Sequence, residues 1–239
     1  MNWGYRALNS TEETCEIGNL PPLSRNVTRL YAHTLGAVAV VGKRVVEIGS
    51  GRGGGAAWVA RTQQPLSVVG IELSPAAVRL ASEVHQGIAG LRFETGNALA
   101  LPFSDGSVDT LINVESCHHY ADLPLFLSEV RRVLAVDGYL CLSDYREAYE
   151  MPEMSSDIAA CGLELVRFCD ITANVVAALD EDNAEKEVFL NSRFSWPLRP
   201  IMRIFFGNQG TDVYNGFAQR TWLYHSWILR KCVTVTATS

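Results

Sequence analysis

The chain has 239 residues, 48% of them hydrophobic and 19% charged, a balance that gives one globular domain enough length to bury a sizeable core. A net charge of −6 without a dense Lys/Arg cluster argues against a nucleic-acid partner. The start, Met1-Asn2-Trp3-Gly4-Tyr5-Arg6, lacks the charged and apolar regions of a signal peptide, and the longest apolar stretch, Leu35 to Val41, is far too short to cross a bilayer.

Six cysteines (Cys15, Cys117, Cys141, Cys161, Cys169 and Cys232) form no C-x-x-C pair, so reduced thiols in a cytoplasmic protein are expected. In chain order, residues 24–40 read as a helix leading into a strand at 43–48. Helices at 54–63, 75–86 and 122–135 then alternate with strands at 67–72, 90–94, 107–114 and 137–143. Such alternation predicts a mostly parallel sheet with helices on both faces. A sixth strand is expected at 163–169 and a seventh within 218–230. Residues 172–216 break the rhythm with an acidic helical stretch (Asp180 to Glu187) and an apolar one (Ile201 to Phe206). The expected organisation is one domain over 1–239. Residues 1–40 and the insert at 172–216 would act as lids.

The densest chemical signal is Val45-Val46-Glu47-Ile48-Gly49-Ser50-Gly51-Arg52-Gly53-Gly54-Gly55. An apolar strand ends in a glycine-rich turn that opens a helix, the arrangement that lets backbone N–H groups approach a nucleotide. Two patterns fit. Gly49, Gly51 and Gly54 satisfy G-x-G-x-x-G, with Glu72 about 20 residues on, where a dinucleotide fold places its ribose-binding acid. Gly49, Gly51 and Gly53 satisfy E-x-G-x-G-x-G, the first motif of class I S-adenosylmethionine (SAM) methyltransferases. Glu47, the roughly 40 preceding residues and the downstream landmarks favour the second. A carboxylate such as Glu72 at a strand end can accept from both ribose hydroxyls.

After the third strand comes Gly96-Asn97-Ala98, and then Leu101-Pro102-Phe103-Ser104-Asp105-Gly106-Ser107-Val108-Asp109. From about residue 43 to 145 the chain resembles the class I methyltransferase family. Asn97 stands where that family often has an acid reading the adenine, and its side-chain carbonyl can still accept from an amino group. The resemblance implies a Rossmann-like seven-stranded α/β fold, mostly parallel with an antiparallel last strand. It also implies a cofactor set of Tyr5, Glu47, Gly49, Ser50, Gly51, Gly53, Glu72, Leu73, Asn97, Ala98, Asn113 and Glu115.

The fourth strand runs into Asn113-Val114-Glu115-Ser116-Cys117-His118-His119-Tyr120, and the fifth carries Leu142-Ser143-Asp144-Tyr145. This pairing resembles natural-product sugar O-methyltransferases, in which a histidine is the general base. Histidine suits proton removal near neutral pH, and a carboxylate can orient it. Neighbours in extended chain point to opposite sides, so at most one of the two histidines should face the substrate. His119 is favoured, with His118 the alternative and Asp144 the orienting acid. No metal is expected.

Asn2-Trp3-Gly4-Tyr5, the glycine run, Asn208-Gln209-Gly210 through Tyr214 and Arg220-Thr221-Trp222-Leu223-Tyr224 resemble phthiotriol dimycocerosate-type O-methyltransferases. The insert aromatics Phe189, Phe194, Trp196, Phe205 and Phe206 suit an apolar acceptor, or equally a packed lid. The expected function is SAM-dependent O-methylation of an apolar secondary metabolite or lipid, in a protein that could self-associate. C-methylation of a prenyl or aromatic carbon, an NAD-dependent oxidoreductase, and a non-catalytic SAM-binding protein are the alternatives.

Overall fold

The structure is a computed structural model that describes residues 2–9 and 22–233. Cys15 lies outside the described residues. Seven strands form one sheet: β1 (Arg44–Ile48), β2 (Ser67–Glu72), β3 (Leu91–Thr95), β4 (Val108–Val114), β5 (Leu134–Glu147), β6 (Glu164–Asp170) and β7 (Trp222–Arg230). Their order is β3-β2-β1-β4-β5-β7-β6, with β3 through β5 parallel. Opposed backbone bonds, Asp137 N to Lys231 O and Ala148 N to Thr221 O, run β7 antiparallel to β5. The chain is thus the expected Rossmann-like seven-stranded fold.

The crossover helices are α1 (Pro22–Leu35), α2 (Gly54–Thr62), α3 (Pro75–Val84), α4 (Leu123–Val133) and α5 (Met151–Ala160). Local chemistry sets their starts. Ser74 caps α3 by accepting from Ala77 N, and Asp122 caps α4 by accepting from Leu125 N, each with a proline in the first turn. α5 was not read in the sequence. Its amphipathic signal is weak, whereas β5 extends beyond the expected 137–143 at both ends.

The chain divides into two compact units. The first contains residues 37–144, 152–168 and 226–233, and is called the sheet unit below. Its core is a set of continuous apolar runs, Val45, Val46 and Ile48 on β1, Leu111 and Ile112 on β4, Leu140 and Leu142 on β5, all buried as strands covered on both faces must be. Arg44 at the start of β1 makes three hydrogen bonds to Asp109 on β4 at 2.8–2.9 Å. They hold the Asp109 carboxyl down at about 2.

The second, helical unit contains residues 2–9, 22–36, 145–151 and 169–225. It carries α6 (Thr172–Arg193), α7 (Arg199–Phe205) and α8 (Asp212–Ala218). The acidic stretch expected at 180–187 is the middle of one 22-residue helix, and α8 was not anticipated. Asn26 of α1 donates to Asp182 at 2.8 Å and to Glu181 at 3.1 Å, tying α1 to α6. Tyr145 stacks on Trp222 with ring centroids 5.5 Å apart, and Phe217 meets Trp222 edge-on.

Candidate active site

The site is built from strand ends of the sheet unit. β1 leads into the glycine loop, where Gly49, Gly51 and Gly53 all have positive φ. Two of these need glycine for different reasons. A Cβ on Gly49 would lie 1.9 Å from Ser116 Oγ, so the loop and the turn after β4 approach too closely for any side chain. A Cβ on Gly51 would meet nothing within 4 Å, yet φ is +53° there, and the backbone lies open for a ligand. Below the loop, buried Glu47 accepts from Ala56 N at 2.7 Å, satisfying an otherwise orphaned donor in the first turn of α2.

Glu72 at the end of β2 accepts from Gly51 N through one carboxylate oxygen and from Ser74 N through the other, each at 3.0 Å. An ionised carboxylate has about four acceptor sites, so two remain for ligand hydroxyls. Leu73 beside it is exposed, as is Asn97 after β3. Asn97 Oδ1 accepts from Leu99 N at 2.9 Å, an Asx turn that occupies one lone pair of the atom expected to read adenine. Ala98 follows in the same turn. Two polar atoms lining these strand ends are buried with no partner among the described residues: Ser50 Oγ and Asn113 Oδ1. Buried polar atoms normally find partners. The open loop face, the spare carboxylate sites and these two atoms fit a polar nucleoside-like ligand.

Beyond β4 the chain makes a 3-10 turn, Cys117–His119. Glu115 enters it at φ +47°, with its N–H on Ser143 O at 2.9 Å. This turn sets how the two histidines lie relative to Asp144. His118 Nδ1 lies 2.7 Å from Asp144 Oδ1, and His118 N donates to Asp144 Oδ2 at 3.0 Å. Asp144 is fully buried and His118 nearly so, with 14% of its side chain exposed. His119 is exposed, its ring 4.0 Å from that of His118. Asp144 therefore holds His118, whereas the sequence favoured His119. Residues 117–119 form a 3-10 turn, which does not alternate its side chains as an extended chain does. Asp144 also lies three residues short of the end of β5.

Sequence reasoning also passed over Tyr120 and the Ser116 side chain. Asn113 Nδ2 donates to Ile48 O at 3.1 Å and to the Tyr120 hydroxyl at 3.0 Å, which shares a 2.7 Å bond with Ser116 Oγ. Because Ile48 O can only accept, the amide nitrogen must face it, and Asn113 Oδ1 is the atom left over. Burial pushes the Tyr120 phenol well above its usual value. The Ser116-x-x-x-Tyr120 spacing was the available signal. Tyr5 lies in the helical unit, where its ring stacks on His33 at 4.2 Å and its N–H bonds to Asn26 O.

Residues 39–192 match the family model described as a methyltransferase domain. The chain is 33% identical over 213 residues to the phthiotriol/phenolphthiotriol dimycocerosates methyltransferase of Mycobacterium leprae, covering 89% of this chain and 78% of that one. It is 38% identical over 182 residues to the fatty-acid O-methyltransferase of Mycolicibacterium smegmatis, covering 76% of this chain and 65% of that one.

Among solved structures it is similar in fold to the geranyl diphosphate C-methyltransferase of Streptomyces coelicolor, with TM-score 0.66 at 15% identity, covering 97% and 92% of the two chains. It is also similar to the cyclase SpnF, with TM-score 0.72 at 18% identity, covering 98% and 87%. Fold likeness that extends to a cyclase carries no activity by itself. The sequence matches do, and by them the chain belongs to the methyltransferase domain family and is a SAM-dependent methyltransferase.

Proposed function

We propose that the enzyme methylates an oxygen of an apolar acceptor, a lipid or secondary metabolite, with His118 as general base. The observation that carries the base assignment is the double hold of Asp144 on His118. With Nδ1–H donated to the buried carboxylate, the neutral ring presents Nε2 as the acceptor, the tautomer a base requires. Nε2 takes the acceptor's hydroxyl proton, and Asp144 stabilises the imidazolium that forms. Asp144 is thus a positioning residue. Glu72, Ser50, Asn113 and the glycine loop would hold the cofactor, which when bound supplies an electrophilic methyl on a sulfonium. Most of the acceleration comes from holding methyl and oxygen in line.

The acceptor class rests on the aromatic content of 189–206 and on the acceptors named for the similar enzymes, a dimycocerosate and a fatty acid. The test is turnover on a panel of long-chain alcohols, phenols and carboxylic acids, with the product's methyl located by NMR. A methyl on oxygen, and loss of turnover in His118→Ala, support the reading. A methyl on carbon would replace it with C-methylation, and full turnover in His118→Ala would remove the base.

A further inference from the structure

The segment from Val188 to Phe206 crosses the end of α6, a proline-punctuated turn and α7, and it is unlike the rest of the chain in two respects. It contains no Asp or Glu and three arginines, Arg193, Arg199 and Arg203, in a protein of net charge −6. It also turns large apolar side chains outward: Trp196 is 79% exposed, Ile201 65%, Phe205 57% and Ile204 50%. Val188 and Leu198 are exposed as well.

Local bonds hold this surface in shape. Arg199 donates to the carbonyls of Phe194 and Asn191, which closes the turn between α6 and α7. Phe189 packs edge-on against both Phe194 and Phe206, with centroids 6.2 and 5.8 Å apart. These half-buried aromatics support the segment, and Trp196, Ile201 and Ile204 are left facing solvent. Arg203 pairs with Glu187 at 2.8 Å, and exposed Arg193 has no ion pair among the described residues.

From this we infer that the Val188–Phe206 surface docks on an anionic lipid bilayer, with Trp196, Ile201 and Ile204 entering the headgroup boundary and the unpaired Arg193 facing lipid phosphates. Apolar side chains with a tryptophan and interleaved arginines, without acids, are the composition of an interfacial anchor. Contiguous exposed apolar surface marks an interaction site. Charge selects the occupant. A second copy meeting the same face about a two-fold axis would bring the unpaired Arg193 of each copy into one interface, with no acid in the segment to pair them. A bilayer surface rich in phosphate offers the opposite sign. The inference stands on exposure and charge, and holds whichever acceptor the enzyme takes.

The test is co-sedimentation of the full chain with phosphatidylcholine vesicles, with and without phosphatidylglycerol. Binding is expected only with the anionic lipid, and it should fall steeply as salt rises toward about 1 M. Trp196→Ser/Ile201→Ser/Ile204→Ser should weaken vesicle binding by about tenfold or more. Arg193→Glu should weaken it at least about fivefold. Both variants should keep the wild-type melting temperature and S-adenosylhomocysteine affinity, which separates loss of docking from loss of fold. Brominated lipid should quench wild-type fluorescence more than that of Trp196→Phe. Equal binding to neutral and anionic vesicles, no binding to either, or a dimer that the triple variant abolishes would each overturn the proposal.

Discussion

The two units handle polar and apolar groups differently. In the sheet unit, charge is pinned at strand ends: Arg44 on Asp109, Asp144 on His118, Glu72 on the glycine loop. Away from edge strand β6, its exposed large apolar residues form no run in sequence, although Leu80 and Val84 share one face of α3. In the helical unit polar groups go inward, with Asn26, Asp182 and Lys186 all buried, while apolar ones gather outward along Val188–Phe206. A buried Asp–Lys pair costs desolvation that only good geometry repays. Burial raises the Asp182 carboxyl and lowers the Lys186 ammonium. The sheet unit is organised around fixed donors and acceptors for chemistry, the helical unit around surface.

The largest expected effect tests whether the glycine loop's openness is what the sheet unit supplies. Gly51→Val puts a β-branched residue at φ +53° and should abolish S-adenosylhomocysteine binding in calorimetry. Next, His118→Ala should lower kcat by about 10²–10⁴ with cofactor affinity retained within a few-fold. His119→Ala should stay within a few-fold of wild type. Asp144→Asn should cost less than His118→Ala and displace the pH–rate profile, a change that a purely structural role would not produce. A large loss in His119→Ala with none in His118→Ala would return the base to the exposed histidine.

A smaller effect comes from the strand-end network. Tyr120→Phe leaves Asn113 Nδ2 and Ser116 Oγ short of a partner and should cost about 1–3 kcal/mol in urea denaturation. Unchanged stability would mean that water replaces the hydroxyl.

The smallest effect belongs to the helical unit. Burial lowers the His225 imidazole, opposed by Asp170 3.9 Å away. A histidine whose folded value is depressed stabilises the protein above its unfolded value, near 6.5, and loses that contribution as pH falls toward the folded one. The melting temperature should therefore drop below about pH 6.5, and His225→Gln should flatten that slope.

The sequence by itself determined what short-range rules control. Apolar runs bounded by Gly, Ser and Asp placed six strands within a few residues, most plainly β1, β2 and β4, where a buried parallel strand needs a hydrophobic run. The glycine loop and Glu72 were legible for the same reason: φ > 0 and strand-end carboxylates leave a mark within one supersecondary unit. Tertiary structure decided what depends on distant partners. His118 and Asp144 are 26 positions apart, and only the pairing of β4 with β5, together with a 3-10 turn, brings them to 2.7 Å. Asn26 meets α6 across more than 150 residues, which allows a polar stretch that read as a short acidic helix to run for 22 residues. Hydrophobic periodicity could not foresee that helix, because the partners that satisfy its buried polar side chains come from the far end of the chain.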